Sequence, residues 1–160
     1  MWRFRFWLIA AAVLVATGLL PLHSTDAADL QPATVLIFDR MNDGTIRILS
    51  DAEAEGVGMT VDAALVNMKE RADGVLFLQT AEYLLFTERA ECLLAQCTRH
   101  SALRPAASVA KIVGDLPDAE AAAKYLKNRP KTVTLGQLRA EAAAMPQLFC
   151  TNGGMLLRGT

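Results

Sequence analysis

The chain has 160 residues, of which 16 are Lys or Arg and 17 Asp or Glu, with 52% hydrophobic and 6% aromatic composition. Near-neutral, interspersed charge offers nothing to nucleic acid or to an anionic membrane surface, and so apolar a chain is unlike a disordered one. The length suits one domain able to bury a core of its own.

At the amino terminus Arg3 and Arg5 precede an apolar run from Leu8 to Leu22, and His23-Ser24-Thr25-Asp26 leads into Ala27-Ala28. Basic, apolar and small-residue regions in that order are the pattern of a secretory signal. The run has 15 residues and carries Gly18 and Pro21 near its end, whereas a spanning helix needs about 20. Cleavage is expected between Ala27 and Ala28, which makes 1–27 a signal peptide and the protein an exported one, secreted or loosely membrane-associated. The alternative is an uncleaved anchor with Trp2, Phe4, Phe6 and Trp7 as interfacial aromatics, and the membrane is then met through this segment alone. No cysteine lies near residue 22, as a lipoprotein signal would require. Without Arg3, Arg5 and Asp26, 14 basic and 16 acidic side chains remain, a net charge near −2.

Val35-Leu36-Ile37-Phe38 and Thr45-Ile46-Arg47-Ile48-Leu49 are β-rich runs joined through Asn42-Asp43-Gly44, a hairpin signal because those residues tolerate the positive φ of a tight reversal. After Gly56-Val57-Gly58, Thr60 can cap a helix whose Val61, Ala64, Leu65 and Met68 share one face, ending near Asp73-Gly74. Val75 to Leu78 and Tyr83 to Phe86 suit buried strands. Thr87 is expected to cap a second helix with Ala90, Leu93, Leu94 and Cys97 inward, and Ser108 to Val113 reads as a strand. A helix near Pro117 to Lys127 follows, and another starts at Thr134 with Gln137 at capping-box spacing and ends before Pro146. Residues 28–150 form the expected single domain and 151–160 a flexible tail. The fold class is α+β: two layers, a mixed sheet of about four to five strands with helices packed on it.

This succession resembles the amino-terminal domain of the Ger(x)C spore-germination proteins over about residues 34–128. The matching parts are Gly56-Val57-Gly58-Met59-Thr60 leading into an Ala-Leu-rich helix, then Leu76-Phe77-Leu78, then Glu82-Tyr83-Leu84-Leu85-Phe86 with Glu88 after it. An arginine-led strand, Arg104 to Val113, and a short Ala-rich helix complete the order. The resemblance implies an outer, membrane-attached subunit of a germinant receptor, and hence a protein partner in the envelope.

Few residues offer chemistry. His100 is the histidine left once His23 departs with the signal; it follows Arg99 at a predicted helix end, within reach of Cys97. Cys/His catalysis also needs an orienting group and a cleft, so a solvated helix-end histidine is the simpler reading. Cys92, Cys97, Cys150 and His100 are the right ligand types for zinc, at irregular spacing. Gly56 and Gly58 precede a helix as a phosphate-binding turn would, but no Lys-Ser/Thr pair follows and position 61 is Val61 rather than glycine, which leaves a structural turn. Asp51, Glu53 and Glu55 alternate and could face a cation such as Ca²⁺, or form a solvated acidic edge.

The three cysteines allow one disulfide. Cys92 and Cys97 would lie too far apart on a helix to bridge, which leaves Cys150 as the partner for either; buried unpaired thiols are the commoner outcome. No catalytic residue, metal or cofactor is assigned. The expected function is a non-catalytic extracytoplasmic binding or assembly module linked to spore germination. The alternatives are a structural component of a sporulation or envelope complex, and a small secreted hydrolase, which would need His100 or an acidic pair in a cleft.

Overall fold

The structure, a computed structural model, describes residues 30–140, 144–151 and 153–159; the expected signal segment and its cleavage point at Ala27-Ala28 lie outside the described residues. The elements in chain order are β1 (Leu30–Pro32), β2 (Val35–Arg40), β3 (Ile46–Ser50), β4 (Glu55–Gly58), α1 (Val61–Arg71), β5 (Val75–Phe77), β6 (Tyr83–Phe86), α2 (Leu94–Cys97), β7 (Ser108–Gly114), α3 (Ala119–Leu126), α4 (Leu135–Ala140), β8 (Gln147–Thr151) and β9 (Gly154–Arg158). Seven strands join in the order β4-β3-β2-β6-β7-β8-β9, and β1 pairs with β5 apart from them. Strands β2, β6, β7 and β8 are mutually parallel, while β3, β4 and β9 are added as antiparallel hairpins.

Local chemistry sets the hairpin and the helix starts as the sequence predicts. In the β2–β3 turn Asp43 Oδ1 accepts the Thr45 N–H at 2.9 Å, and Gly44 takes φ +88°, which glycine adopts without strain. Thr60 Oγ1 accepts the Ala63 N–H at 3.1 Å to open α1. At α4 the Thr134 N–H donates to Gln137 Oε1 at 2.9 Å, and Thr134 Oγ1 accepts the Gln137 N–H at 3.3 Å, a reciprocal capping box. Thr87 departs from expectation: it caps no helix, and a 3₁₀ turn over Glu88–Leu93 runs into α2 instead. Its hydroxyl is spent on Asp39 Oδ1, 3.0 Å away, so the free N–H groups behind it have no side-chain acceptor.

The α+β class holds, a mixed sheet with helices packed on it, but the sheet is larger than expected and covered on both sides. Leu36, Phe38, Leu84 and Phe86 enter one buried cluster with Ala64, Leu65 and Met68 of α1, while Val35, Ile37, Tyr83 and Leu85 enter another with Ala119, Ala122 and Leu126 of α3. Successive strand side chains point to opposite faces, so these are two cores on the two sides of one sheet. Three layers therefore stand where two were expected. On the α1 side the rings of Phe38 and Phe86, paired in register across β2 and β6, stack with centroids 4.8 Å apart. On the α3 side Tyr83 donates its hydroxyl to the Leu126 carbonyl at 2.9 Å, tying the strand to the end of that helix.

Within the tail expected over 151–160, Gly154–Arg158 form β9 and pair with β8. Met155 and Leu157 of β9 pack against the α3-side core beside Leu148 and Cys150 of β8, and burial of these alternate side chains holds the hairpin in register.

Candidate functional site

In sheets of this kind ligands favour the crevice outside the carboxyl ends of parallel strands. At the ends of β2, β6 and β7 lies a cavity of about 250 Å³ lined by Asp39, Thr87, Glu88, Arg89, Gly114 and Leu116. Its charges are spent on their neighbours. Asp39 accepts from Arg47 Nη2 at 3.0 Å and from Thr87 Oγ1 at 3.0 Å. Arg89 Nη1 donates to Asn42 Oδ1 at 2.6 Å. Lys111 Nζ donates to Glu91 Oε2 at 2.9 Å, a bond that raises the lysine's pKa, and stands 3.8 Å from Glu88. A crevice below the roughly 300 Å³ of ordinary ligand sites, with its polar groups already paired, has little left for a substrate.

His100 sits at the exit of α2, as the sequence suggests, but its partner is not Cys97. Its Nδ1 accepts the Ala102 N–H at 3.2 Å, so the ring proton is on Nε2 and is donated to Asp62 Oδ1 at 3.1 Å. Both nitrogens are committed. A general base needs a free lone pair within reach of the proton it takes, and this imidazole has none. Asp62 comes from the first turn of α1, so the bond pins the loop after α2 to a helix 38 positions away in sequence.

The cysteines are separated by the sheet itself. Cys97 belongs to the α1-side core, Cys150 to the α3-side core, and Cys92 is exposed; all three thiols are free. The pairing of Cys150 with Cys92 or Cys97 that the sequence allows is not formed here, and the zinc set is dispersed, because one buried thiol lies on each side of a continuous β layer. Burial pushes the Cys97 thiol up to about 12 and raises that of Cys150 as well, which makes both poor nucleophiles. Among the described residues no group of three His, Cys, Asp or Glu side chains is placed to hold a metal ion.

The acidic alternation also dissolves. Asp51 Oδ1 accepts the N–H groups of Thr34 and Val35 at 2.8 and 3.0 Å, and so ties the start of β2 to the β3–β4 turn. Glu53, in that turn, takes φ +54°, and Glu55 lies exposed on β4, so the three do not share a strand face. Gly56 and Gly58 hold no anion loop: they are β4 residues on which α1 rests. A Cβ on Gly56 would stand 2.1 Å from the Ala64 carbonyl oxygen, and one on Gly58 2.5 Å from the Ala64 nitrogen.

What sequence reasoning missed is an apolar surface. Leu30 pairs with Val75 and Pro32 with Phe77 across β1 and β5, while Leu76 between them is buried. By alternation the four share the outer face of this two-stranded sheet, and Leu30, Val75 and Phe77 are 43%, 46% and 45% exposed. The signal was present in Val75-Leu76-Phe77: with its middle residue buried, a strand standing off the main sheet shows its flanking side chains to solvent.

Both edges of the seven-stranded sheet are engaged by a helix side chain. On β4 the Val57 N–H donates to Asn67 Oδ1 of α1 at 3.0 Å, and on β9 the Leu157 N–H donates to the Tyr125 hydroxyl of α3 at 3.0 Å. No protein family, curated protein or solved structure matches the chain.

Proposed function

We propose that this chain is a non-catalytic extracytoplasmic module that docks a protein partner, a subunit of an envelope or germinant-receptor assembly. The carrying observation is the apolar face of Leu30, Pro32, Val75 and Phe77. Single exposed apolar residues are ordinary on a surface, whereas contiguous ones mark interaction sites, and an aromatic among aliphatics is the usual anchor of such a patch. Strand addition at the edges of the large sheet is disfavoured by the Asn67 and Tyr125 bonds, so contact through side chains on a face is the mode these surfaces support. The commitment of both His100 nitrogens and the burial of Cys97 and Cys150 support the non-catalytic half of the reading. The resemblance of residues 34–128 to the Ger(x)C amino-terminal domain supports an envelope or germination partner over one in the medium.

A photo-crosslinking residue at position 77, in the full chain expressed in its native host, tests the proposal against the same residue at position 70 on the outer side of α1. One envelope protein should be captured from position 77 and not from 70, and Phe77→Asp should abolish its co-purification with little change in Tm. Equal capture from both positions, or a hydrolytic activity of the purified protein that His100→Ala removes, would overturn it.

A further inference from the structure

A second surface, remote in sequence from the apolar patch, has the makings of a small-molecule site. The turn that leaves α2 and the length of α4 wall a groove made of two cavities, of about 250 and 450 Å³. Arg99 and Arg139 line both cavities and so stand where the two meet. Leu94 and Leu138 line one end and Leu103 and Leu135 the other, beside Thr98. Among the described residues no acidic side chain lines either cavity.

The two arginines are unlike most of the others. Arg40, Arg47 and Arg89 donate hydrogen bonds to side chains, and Arg129 and Arg158 lie over the rings of Tyr125 and Phe149. Arg99 and Arg139 have no hydrogen-bonded or ionic partner among the described residues, and they face the same groove from its two walls. A guanidinium presents five N–H donors in a plane suited to a carboxylate or phosphate, and two of them line this groove together with leucine side chains. The walls are set before any ligand arrives. The α2 side is pinned by the two bonds of His100, and the α4 side by the N–H groups of Leu135 and Gly136, which donate to the carbonyls of Ala107 and Pro105 at 2.9 and 2.8 Å. Preorganised walls lower the ordering cost of binding.

We infer that this groove binds a small organic anion, its charged head held between Arg99 and Arg139 and its apolar body laid along Leu94 and Leu138. This inference stands apart from the protein-docking proposal, since it uses neither β1 nor β5. Calorimetric titration of the purified chain tests it with three probes: 4-phenylbutyrate, its uncharged amide, and inorganic phosphate. The acid should bind saturably with a dissociation constant of about millimolar, as expected for a ligand of a dozen heavy atoms. The amide should bind at least about tenfold more weakly, and Arg99→Gln or Arg139→Gln should each weaken the acid by about tenfold. Both arginines are exposed, so these variants should keep the parent Tm, and Arg71→Gln, on α1, should bind like the parent. Equal affinity for acid and amide, unchanged binding in the arginine variants, or binding of phosphate alone would overturn the assignment, as would no saturable heat from the acid.

Discussion

The two ends of the sheet are closed in different ways. At the β4 end, α1 lies directly on the strand, close enough that Gly56 and Gly58 have no room for a Cβ, and its Ala64, Leu65 and Met68 are buried in the core. At the β9 end, α3 covers one face, but Phe149, Leu156 and Arg158 on the other lie on the wall of an open hollow of about 470 Å³ that no helix among the described residues lines. Leu65 is 2% exposed and Leu156 50%. Helix coverage, more than position in the sheet, decides how firmly each end is held, and the opening free energy should fall from the α1 side towards the β8–β9 hairpin.

Thiol chemistry should break the two ends apart by the largest factor. With a thiol reagent at pH 8 followed by mass spectrometry, exposed Cys92 should react at once. Cys150 should follow through local opening of the hairpin, and Cys97 should be last, at least about a thousandfold slower than Cys92, because it is reached through global unfolding. Simultaneous labelling of Cys97 and Cys150 would erase the gradient. The same burial gives a pH dependence. The folded Cys97 thiol titrates near 12 instead of 9.0, so its contribution to stability is complete below pH 9 and is lost as pH rises towards 12. Tm should fall through that window, and less steeply in Cys97→Ala.

Truncation comes next in size. Leu65→Ala on the covered side should cost about 2 to 5 kcal/mol, and Leu156→Ala on the open face, like Glu70→Ala outside the α1 stripe, under about 0.5 kcal/mol. Equal small costs in denaturant melts would remove α1 from the core. Enlargement sharpens the same contrast: Gly56→Ala should cost about 3 kcal/mol, the top of the overpacking range, since the atom it meets is backbone. Gly153→Ala, whose added Cβ would meet Thr151 Oγ1 at 3.9 Å, should change stability by less than about 0.5 kcal/mol.

Much of this was legible in the sequence wherever the cause is local. The Asn-Asp-Gly turn, the Thr60 cap and the Thr134–Gln137 box depend on residues within four positions of one another. The third layer was signalled but not read: Val35-Leu36-Ile37-Phe38 and Tyr83-Leu84-Leu85-Phe86 are continuous apolar runs, and a strand buried on both sides needs cover on both. Asn152-Gly153 between Leu148-Phe149-Cys150 and Met155-Leu156-Leu157 is a hairpin signal of the same kind as the first one, hidden by its nearness to the chain end. The contacts that define the surfaces were not legible. His100 with Asp62, Val57 with Asn67, and Arg99 across from Arg139 join residues set by packing, and no spacing rule brings them together.

The smallest effect concerns the edges, where the two ends use one device under different cover. Tyr125→Phe frees the Leu157 N–H, and Asn67→Ala frees the Val57 N–H. On an exposed strand water takes up such a donor, so each change should cost about 0.5 to 1.5 kcal/mol. The difference should appear in self-association. A freed edge invites a second strand, but β4 carries α1 on its face, whereas β9 offers an open face with Leu156 beside the freed edge. Sedimentation at rising concentration should therefore show dimers for Tyr125→Phe before Asn67→Ala, and adding Leu156→Lys to the former should restore the monomer. If both variants stay monomeric, the two hydrogen bonds are fastenings of helix to strand and not guards of the edge; if Asn67→Ala associates first, helix cover is not what protects an edge in this fold.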